Sequence, residues 1–426
     1  MRWIWLLALL ACGDNVTPRL EPVRYAIAGV EVADPRVFHD RARGEDCAAV
    51  SWADGATYCT PTYSDAVYTD PICTQPMART VDLPSGGYAA TYFILRGQAT
   101  LRRLHPVLGE VPPPAQFWVL RDATCVGPYT GDATAHFGAV GPELDESAFV
   151  RLRRSAPEGS GRLQLIAWYT DDGLHAPAGF HDRTLGADCT LADHADADAV
   201  ACEPDAQQAD GFSDPACTRP VVQTVTSPPA FAWYYTGACP TYAAVGDEVI
   251  DQTLYGLSGS ACTRAQLPDG WREFALGDPI DLATMTRQRG AGARIQPITL
   301  VAKGLRTPDD LVHDTALATD CHPGPLAGTT RCVPATTTAI VSYFIDDTCL
   351  DPIDVALVPT GTCTSPPRFA FRPDAFHAIG EPVPMQLYEV STGDRCVPYT
   401  PAPPYVARMV GPPLPLETFV AADVRY

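Results

Sequence analysis

The sequence predicts an all-β fold of three tandem repeats of short antiparallel strands, stapled by disulfides. It is propeller-like or, as the alternative, three β-sandwich or barrel domains in a row. Three observations predict it. A cysteine-marked phrase occurs three times, short aromatic and β-branched runs recur, and 42 prolines and 33 glycines in 426 residues leave long helices almost no room.

The opening segment stands outside that fold. "MRWIWLLALLACGDN" has one positive charge at Arg2, an apolar run from Trp3 to Ala11 too short to span a bilayer, and a small residue before Cys12. "LLAC" resembles the lipobox of bacterial lipoproteins, whose cysteine is lipidated and becomes the mature N-terminus. That resemblance implies a lipoprotein signal peptide over residues 1–11, a lipidated Cys12 and a short tether over 12–22, so that acyl chains make the contact with the membrane. Gly13 follows the cysteine where an aspartate would mark inner-membrane retention, so the expected location is the outer membrane, at its periplasmic face or at the cell surface.

The repeats follow. "VFHDRARGEDC" ends at Cys47, "FHDRTLGADC" at Cys189 and "VHDTALATDC" at Cys321, placing His39–Asp40, His181–Asp182 and His313–Asp314 in one register as repeat markers. After each comes a Cys-x-Pro at Cys59, Cys202 and Cys332, then a Cys-x-x-Pro at Cys73, Cys217 and Cys349. A fourth cysteine closes each copy's next phrase, at Cys125, Cys262 and Cys396. That phrase opens on an apolar-Gly-acidic element read as a turn ("VLGE", "AVGD", "AIGE"), and a related one follows about thirty residues later ("AVGPE", "ALGDP", "MVGPP"). The expected copies span 23–161, 162–292 and 293–426, joined by junctions too short to be linkers.

Within the copies, "YAIAGVEV", "YAATYFIL", "AQFWVL", "RLQLIAWYT", "PAFAWYY" and "TAIVSYFI" read as strands, and Asp54-Gly55 as a hairpin turn between the first two repeat cysteines. The first copy holds four mature cysteines, for which three connectivities exist. The preferred one joins Cys47 to Cys59 across about a dozen residues, worth nearly 3 kcal/mol by loop entropy, and leaves Cys73 for Cys125. By analogy Cys189 pairs with Cys202, Cys217 with Cys262, Cys321 with Cys332 and Cys349 with Cys396. Cys239 and Cys363 have no equivalents and stay unassigned: they pair with each other or are free.

Composition excludes some functions. Fifty acidic against thirty basic residues give a formal charge of −20 without a basic run, which repels nucleic acid and anionic lipid. An even cysteine number after removal of Cys12 fits an oxidising compartment. Cys47 beside His39 and Asp40 has the residue types of a thiol nucleophile with its base, but a paired cysteine supplies no thiolate, and triplication points to structure. In "DHADADA", Asp193, Asp196 and Asp198 are weak calcium candidates without the glycine and distal glutamate of an EF-hand loop, and an acidic hairpin tip is the simpler account. Ser258 in "GLSGS" misses the GxSxG pattern, because position 260 is serine. The aromatics of "WYTDDG" suit a carbohydrate or peptide groove, although aromatics at strand spacing more often form core. No catalytic residue, metal or cofactor is predicted.

The phrase Asp-x-x-x-Gly-x-Asp-Cys, Cys-x-Pro, aromatic-x-Asp-x-x-Cys-x-x-Pro, carried here by Asp182, Gly186, Asp188, Cys189, Cys202, Pro204, Phe212, Asp214, Cys217 and Pro220, resembles repeats in an uncharacterised family of secreted lipoproteins of myxobacterial type. Copy three departs from it at Ala318. The resemblance implies no activity. The expected function is a non-enzymatic cell-envelope binding or structural protein, with an envelope protein or glycan as partner. The alternative is an extracellular hydrolase acting on a polymer at one loop face, and function is to be sought in residues the copies do not share.

Overall fold

A computed structural model describes residues 17–80, 88–95, 98–121, 124–130, 135–193, 198–225, 227–236, 239–249, 253–258, 261–267, 270–360, 366–372, 374–391, 395–401 and 405–426. The signal peptide and Cys12 lie outside them. The described chain is all-β, with two short 3₁₀ turns at Glu146–Ala148 and Leu416–Thr418. It forms two compact units. One comprises Met1–Pro22, Arg36–Ser155 and Ala167–Pro177, the other Val23–Pro35, Ala156–Ile166 and Ala178–Tyr426.

In the first unit the marker phrase is a hairpin. Val30–Asp40 pairs with Glu45–Ser51, which pairs with Thr57–Pro61, which pairs with Arg151–Arg154. Alternation puts Phe38 and Cys47 inward, with Leu20, Cys59 and Leu152 in one core, and leaves His39 and Asp46 on the other face. "YAIAGVEV" departs from a single strand: it turns at Ala28 and Gly29, whose φ of 48° and 85° make the tight connection between Leu20–Ile27 and Val30–Asp40.

The second unit repeats the arrangement twice. Ala187–Asp193, Ala199–Pro204, Thr284–Arg289, Ile295–Ala302, Leu305–Asp314, Thr319–Leu326 and Thr329–Pro334 pair in that order, all antiparallel. Ala422–Arg425 pairs with the far end of Leu20–Ile27, Ile27 facing Ala422 and Arg24 facing Arg425. Ile27, Val32, Ile295, Val312, Cys321, Cys332 and Ala422 form one core there.

Between the Cys-x-Pro strand and the last strand of each copy lies an inserted five-stranded barrel. In the first copy Tyr63–Tyr68, Pro76–Thr80, His136–Val140, Gln98–Val111 and Tyr88–Leu95 pair in turn, and a parallel pairing of Tyr63 with Tyr88 closes the circle. The third copy closes the same way through Thr337 and Phe369. In the second copy the closing strand is broken into Gln207–Gln208 and Gly211–Phe212. Closed barrels in place of propeller blades are the second of the two expected architectures; they remove the sheet edges that short strands would otherwise expose.

The two related Gly-acidic phrases of each copy are strands, and they pair with each other. Cys239–Glu248 runs antiparallel to Arg272–Pro279, and Ala375–Pro382 to Tyr405–Pro413, with a register shift at each phrase. A β-carbon on Gly246 would stand 3.3 Å from the Ala275 carbonyl oxygen, and one on Gly277 would stand 3.4 Å from that of Ala244. At Gly246 and Gly277 the missing β-carbon eases close backbone approach at a bulge, a use glycine also has in turns, which is why the phrase reads as a turn.

Candidate functional site

The motif that first suggests catalysis builds a turn. Asp40 is 1 % exposed and accepts the amides of Ala42 and Arg43 on one oxygen, while the Arg19 guanidinium grips its carboxylate from Nε at 2.8 Å and Nη2 at 2.6 Å. Arg162 holds Asp182, and Arg294 holds Asp314, in the same way. The fork satisfies a carboxylate whose burial alone would be costly. His39, His181 and His313 face Asp46, Asp188 and Asp320 across their hairpins, with Nδ1 to carboxylate distances of 2.8, 2.9 and 2.7 Å. The arginines escaped the sequence reading. Their signal is an Arg-Leu or Arg-Ile pair about twenty residues before each buried aspartate, at Arg19, Arg162 and Arg294.

The cysteines pair as Cys47–Cys59, Cys73–Cys125, Cys189–Cys202, Cys217–Cys262, Cys321–Cys332 and Cys349–Cys396. Cys239 is disulfide-bonded, and Cys363 lies outside the described residues. With Cys47 oxidised and set on the opposite strand face from His39, no nucleophile–base pair exists at the first marker. The aromatics of "WYTDDG" belong to a hairpin: Trp168 packs on the first core, and Asp172 accepts the Arg19 amide.

Of the calcium candidates, Asp196 is outside the described residues, and the other two are engaged by arginine. Arg287 bonds Asp193 at 2.8 Å, and Arg289 bonds Asp198 at 2.6 Å. Among the described residues no group of acidic, histidine or cysteine side chains has the arrangement of a metal site. Arg287, 9 % exposed, also reaches Asp309 at 3.4 Å. Burial first, then a hydrogen bond with Asp310, pushes the Asp309 carboxyl up to about 7, against the pull of Arg287.

The copies differ most beneath the hairpins that carry their fourth cysteine. In the first copy Val67, Met77 and Phe137 of the barrel pack with Phe117 of the covering hairpin; in the third Tyr343, Val355 and Ala407 pack with Leu387 of theirs. In the second copy the residue facing Gln223 is Glu273, where the first copy sets Phe137 opposite Arg79. Glu273 is 3 % exposed, its Oε1 has no hydrogen-bond partner, and burial, then the nearby charge of Asp210, raises its pKa. Gly211 stands where the first copy has Val67, three residues before the aspartate of the Cys-x-x-Pro loop. A β-carbon there would meet Leu254 Cδ1 at 2.4 Å and Gln223 Nε2 at 2.7 Å, so its absence admits both side chains.

Beside this polar patch lies a groove of about 680 Å³. Ala275, on the same strand face as Glu273, contributes to its floor; Tyr234, Thr253 and Tyr255 line it, and Thr218 and Arg219 come from the disulfide loop. That loop is held tightly. The Asp214 carboxylate accepts the amides of Ala216, Thr218 and Arg219 and the Thr218 hydroxyl, and Cys217 sits at φ 52° with its sulfur bonded to Cys262. Desolvation works to raise the Asp214 pKa, but these bonds outweigh it and hold the carboxyl below its usual range. Among the described residues none that lines the groove is acidic, and the exposed Arg219 has no carboxylate partner. The equivalent positions are Gln75 and Asp351, so only the second copy offers a cation. Sequence reading missed the site because its residues come from five separated segments; the change from "CTQP" and "CLDP" to "CTRP" was the visible signal.

A family model described as a family of unknown function, DUF7481, matches residues 5–419. No curated protein and no solved structure matches the chain.

Proposed function

We propose, from the premise that the chain belongs to DUF7481, a family of unknown function, that it is an exported binding protein of the cell envelope whose ligand seat is the groove of the second copy. One observation carries the reading: Arg219, on a loop locked by Asp214 and the Cys217–Cys262 disulfide, lines one groove with Tyr234 and Tyr255. Its volume falls in the range of about 300–1,000 Å³ in which proteins take small molecules or short polymer segments. Tyrosine faces with surrounding hydroxyls suit a sugar, which offers C–H faces for stacking and hydroxyls for hydrogen bonds. Export and anchoring through Cys12 to the outer membrane rest on the lipobox-like start, and the disulfides fit the oxidising compartment such a protein occupies.

The test is binding of the purified protein to an envelope polysaccharide fraction by calorimetry. Tyr234→Ala and Tyr255→Ala should each weaken it about tenfold or more with folding unchanged; undiminished binding by the double variant would remove the groove from the account. A hydrolase is the second reading, favoured by two carboxyl groups, Asp210 and Glu273, whose pKa values are both raised beside the groove. Glu273 is too enclosed to reach a polymer, which places binding ahead. New reducing ends released from the bound fraction, and lost in Glu273→Gln, would reverse that order.

A further inference from the structure

We infer that the ligand of this groove is an acidic saccharide, recognised through a carboxylate or sulfate by Arg219. The inference rests on the reading of the groove as a binding site. It follows from how charge is distributed around the groove. The chain carries 50 acidic residues and a formal charge of −20, so a surface hollow with no acid among its described lining residues is a local exception. Inside that exception stands one exposed guanidinium without an ion-pair partner among the described residues, whereas Arg153, Arg272 and Arg372 are each paired with a carboxylate. A guanidinium offers a planar fork of donors that matches an oxyanion bidentately. Asp214, the acid of the same loop, spends its oxygens on that loop's amides and hydroxyl.

The other groups are neutral and rich in donors: the hydroxyls of Tyr234, Tyr255 and Thr253. A peptide carboxylate would also meet Arg219, but peptide recognition relies on apolar anchors or an open strand edge. This lining is mainly polar, and its strands are already paired within the barrel. Arg219 is held from its backbone end, its amide on Asp214 Oδ1 at 2.7 Å and its carbonyl accepting the Ser213 amide at 2.9 Å. The backbone that carries the fork is therefore set in place before a ligand arrives.

The experiment titrates the full-length protein with an oligogalacturonate, its methyl ester, a sulfated galactan oligosaccharide and a peptide with a free C-terminal carboxylate. The acid should bind at least about tenfold tighter than the ester, and more weakly as salt rises. Arg219→Ala should remove that advantage, bringing the acid's affinity down to about that of the ester, and Arg219→Lys should restore part of it. Binding of the sulfated oligosaccharide in place of the galacturonate, with the same dependence on Arg219, would identify sulfate as the oxyanion and support the inference. Equal affinity for acid and ester, or an Arg219→Ala variant that keeps the preference, overturns the inference and leaves the groove as a neutral sugar site. Arg219-dependent binding of the peptide alone overturns the saccharide assignment. Failure of every probe, together with unchanged envelope binding by Tyr255→Ala, overturns the groove reading itself.

Discussion

Ala318 shows how much one residue's backbone state matters in this repeat. It holds φ 48° where the other copies hold glycines at 67° and 63°, Gly44 and Gly186. A β-carbon at either glycine would touch nothing within 4 Å, so the difference is one of backbone strain alone. Ala318→Gly should stabilise the protein by about 0.5–1 kcal/mol, and Gly186→Ala should cost a similar amount, both read from urea unfolding; a destabilised Ala318→Gly would show that the left-handed turn is not strained. Glu273 is a cost of another kind, a buried carboxyl with an unpartnered oxygen. Its raised pKa means that the fold prefers the protonated form, so this group's contribution declines as pH rises from its unfolded value through its folded one. Glu273→Gln should gain about 1 kcal/mol at pH 7, shrinking toward acid pH. Loss of stability in that variant at neutral pH would reveal a partner for the charged form.

At the scale of elements, ion pairs tie strands that backbone pairing does not join, reaching across one intervening strand on each side. Arg287 on Thr284–Arg289 engages Asp193 of Ala187–Asp193 and Asp309 of Leu305–Asp314. With the Asp309 carboxyl pushed up to about 7, the folded chain binds more protons than the unfolded chain between about pH 4 and pH 7. Stability therefore falls across that window as pH rises, and is level above it as far as this group decides. Asp309→Asn lacks the titration, so thermal unfolding of wild type should lose ground to the variant from pH 4 to pH 7 and hold a constant gap beyond. Parallel pH profiles would refute the assignment. These elements were partly legible in the sequence. Strand runs such as Thr337–Phe344 were legible, because aromatic and β-branched residues between Pro and Gly have few other solutions. Barrel closure was not, since the Tyr63–Tyr88 and Thr337–Phe369 pairings are parallel, distant in sequence and free of any local signature. The groove was hidden for a similar reason: Arg219 and Tyr234 meet only after the barrel has closed.

For the molecule as a whole, two strands nearly 400 residues apart pair with each other, Arg24–Ile27 against Ala422–Arg425. Apart from Ala199–Pro204 against Thr284–Arg289, which meet across the inserted barrel, the strands from Ala187–Asp193 to Thr329–Pro334 join neighbours in sequence. The marker phrase thus repeats locally, while the unit that it builds draws one strand from the start of the chain. Hydrogen exchange should show the amides of 24–27 and 422–425 opening together and before those of Thr319–Leu326. Exchange of the two segments at unrelated rates would mean that they are held independently.

That pairing also sets an order in time. A chain is synthesised from its N-terminus and emerges with its first strand long before its last, so Ile27 and Val32 wait without the Ala422 strand beside them. Throughout that wait the edge of Leu20–Ile27 is an open template, and the slowest step of assembly is the return of the far end of the chain to close it.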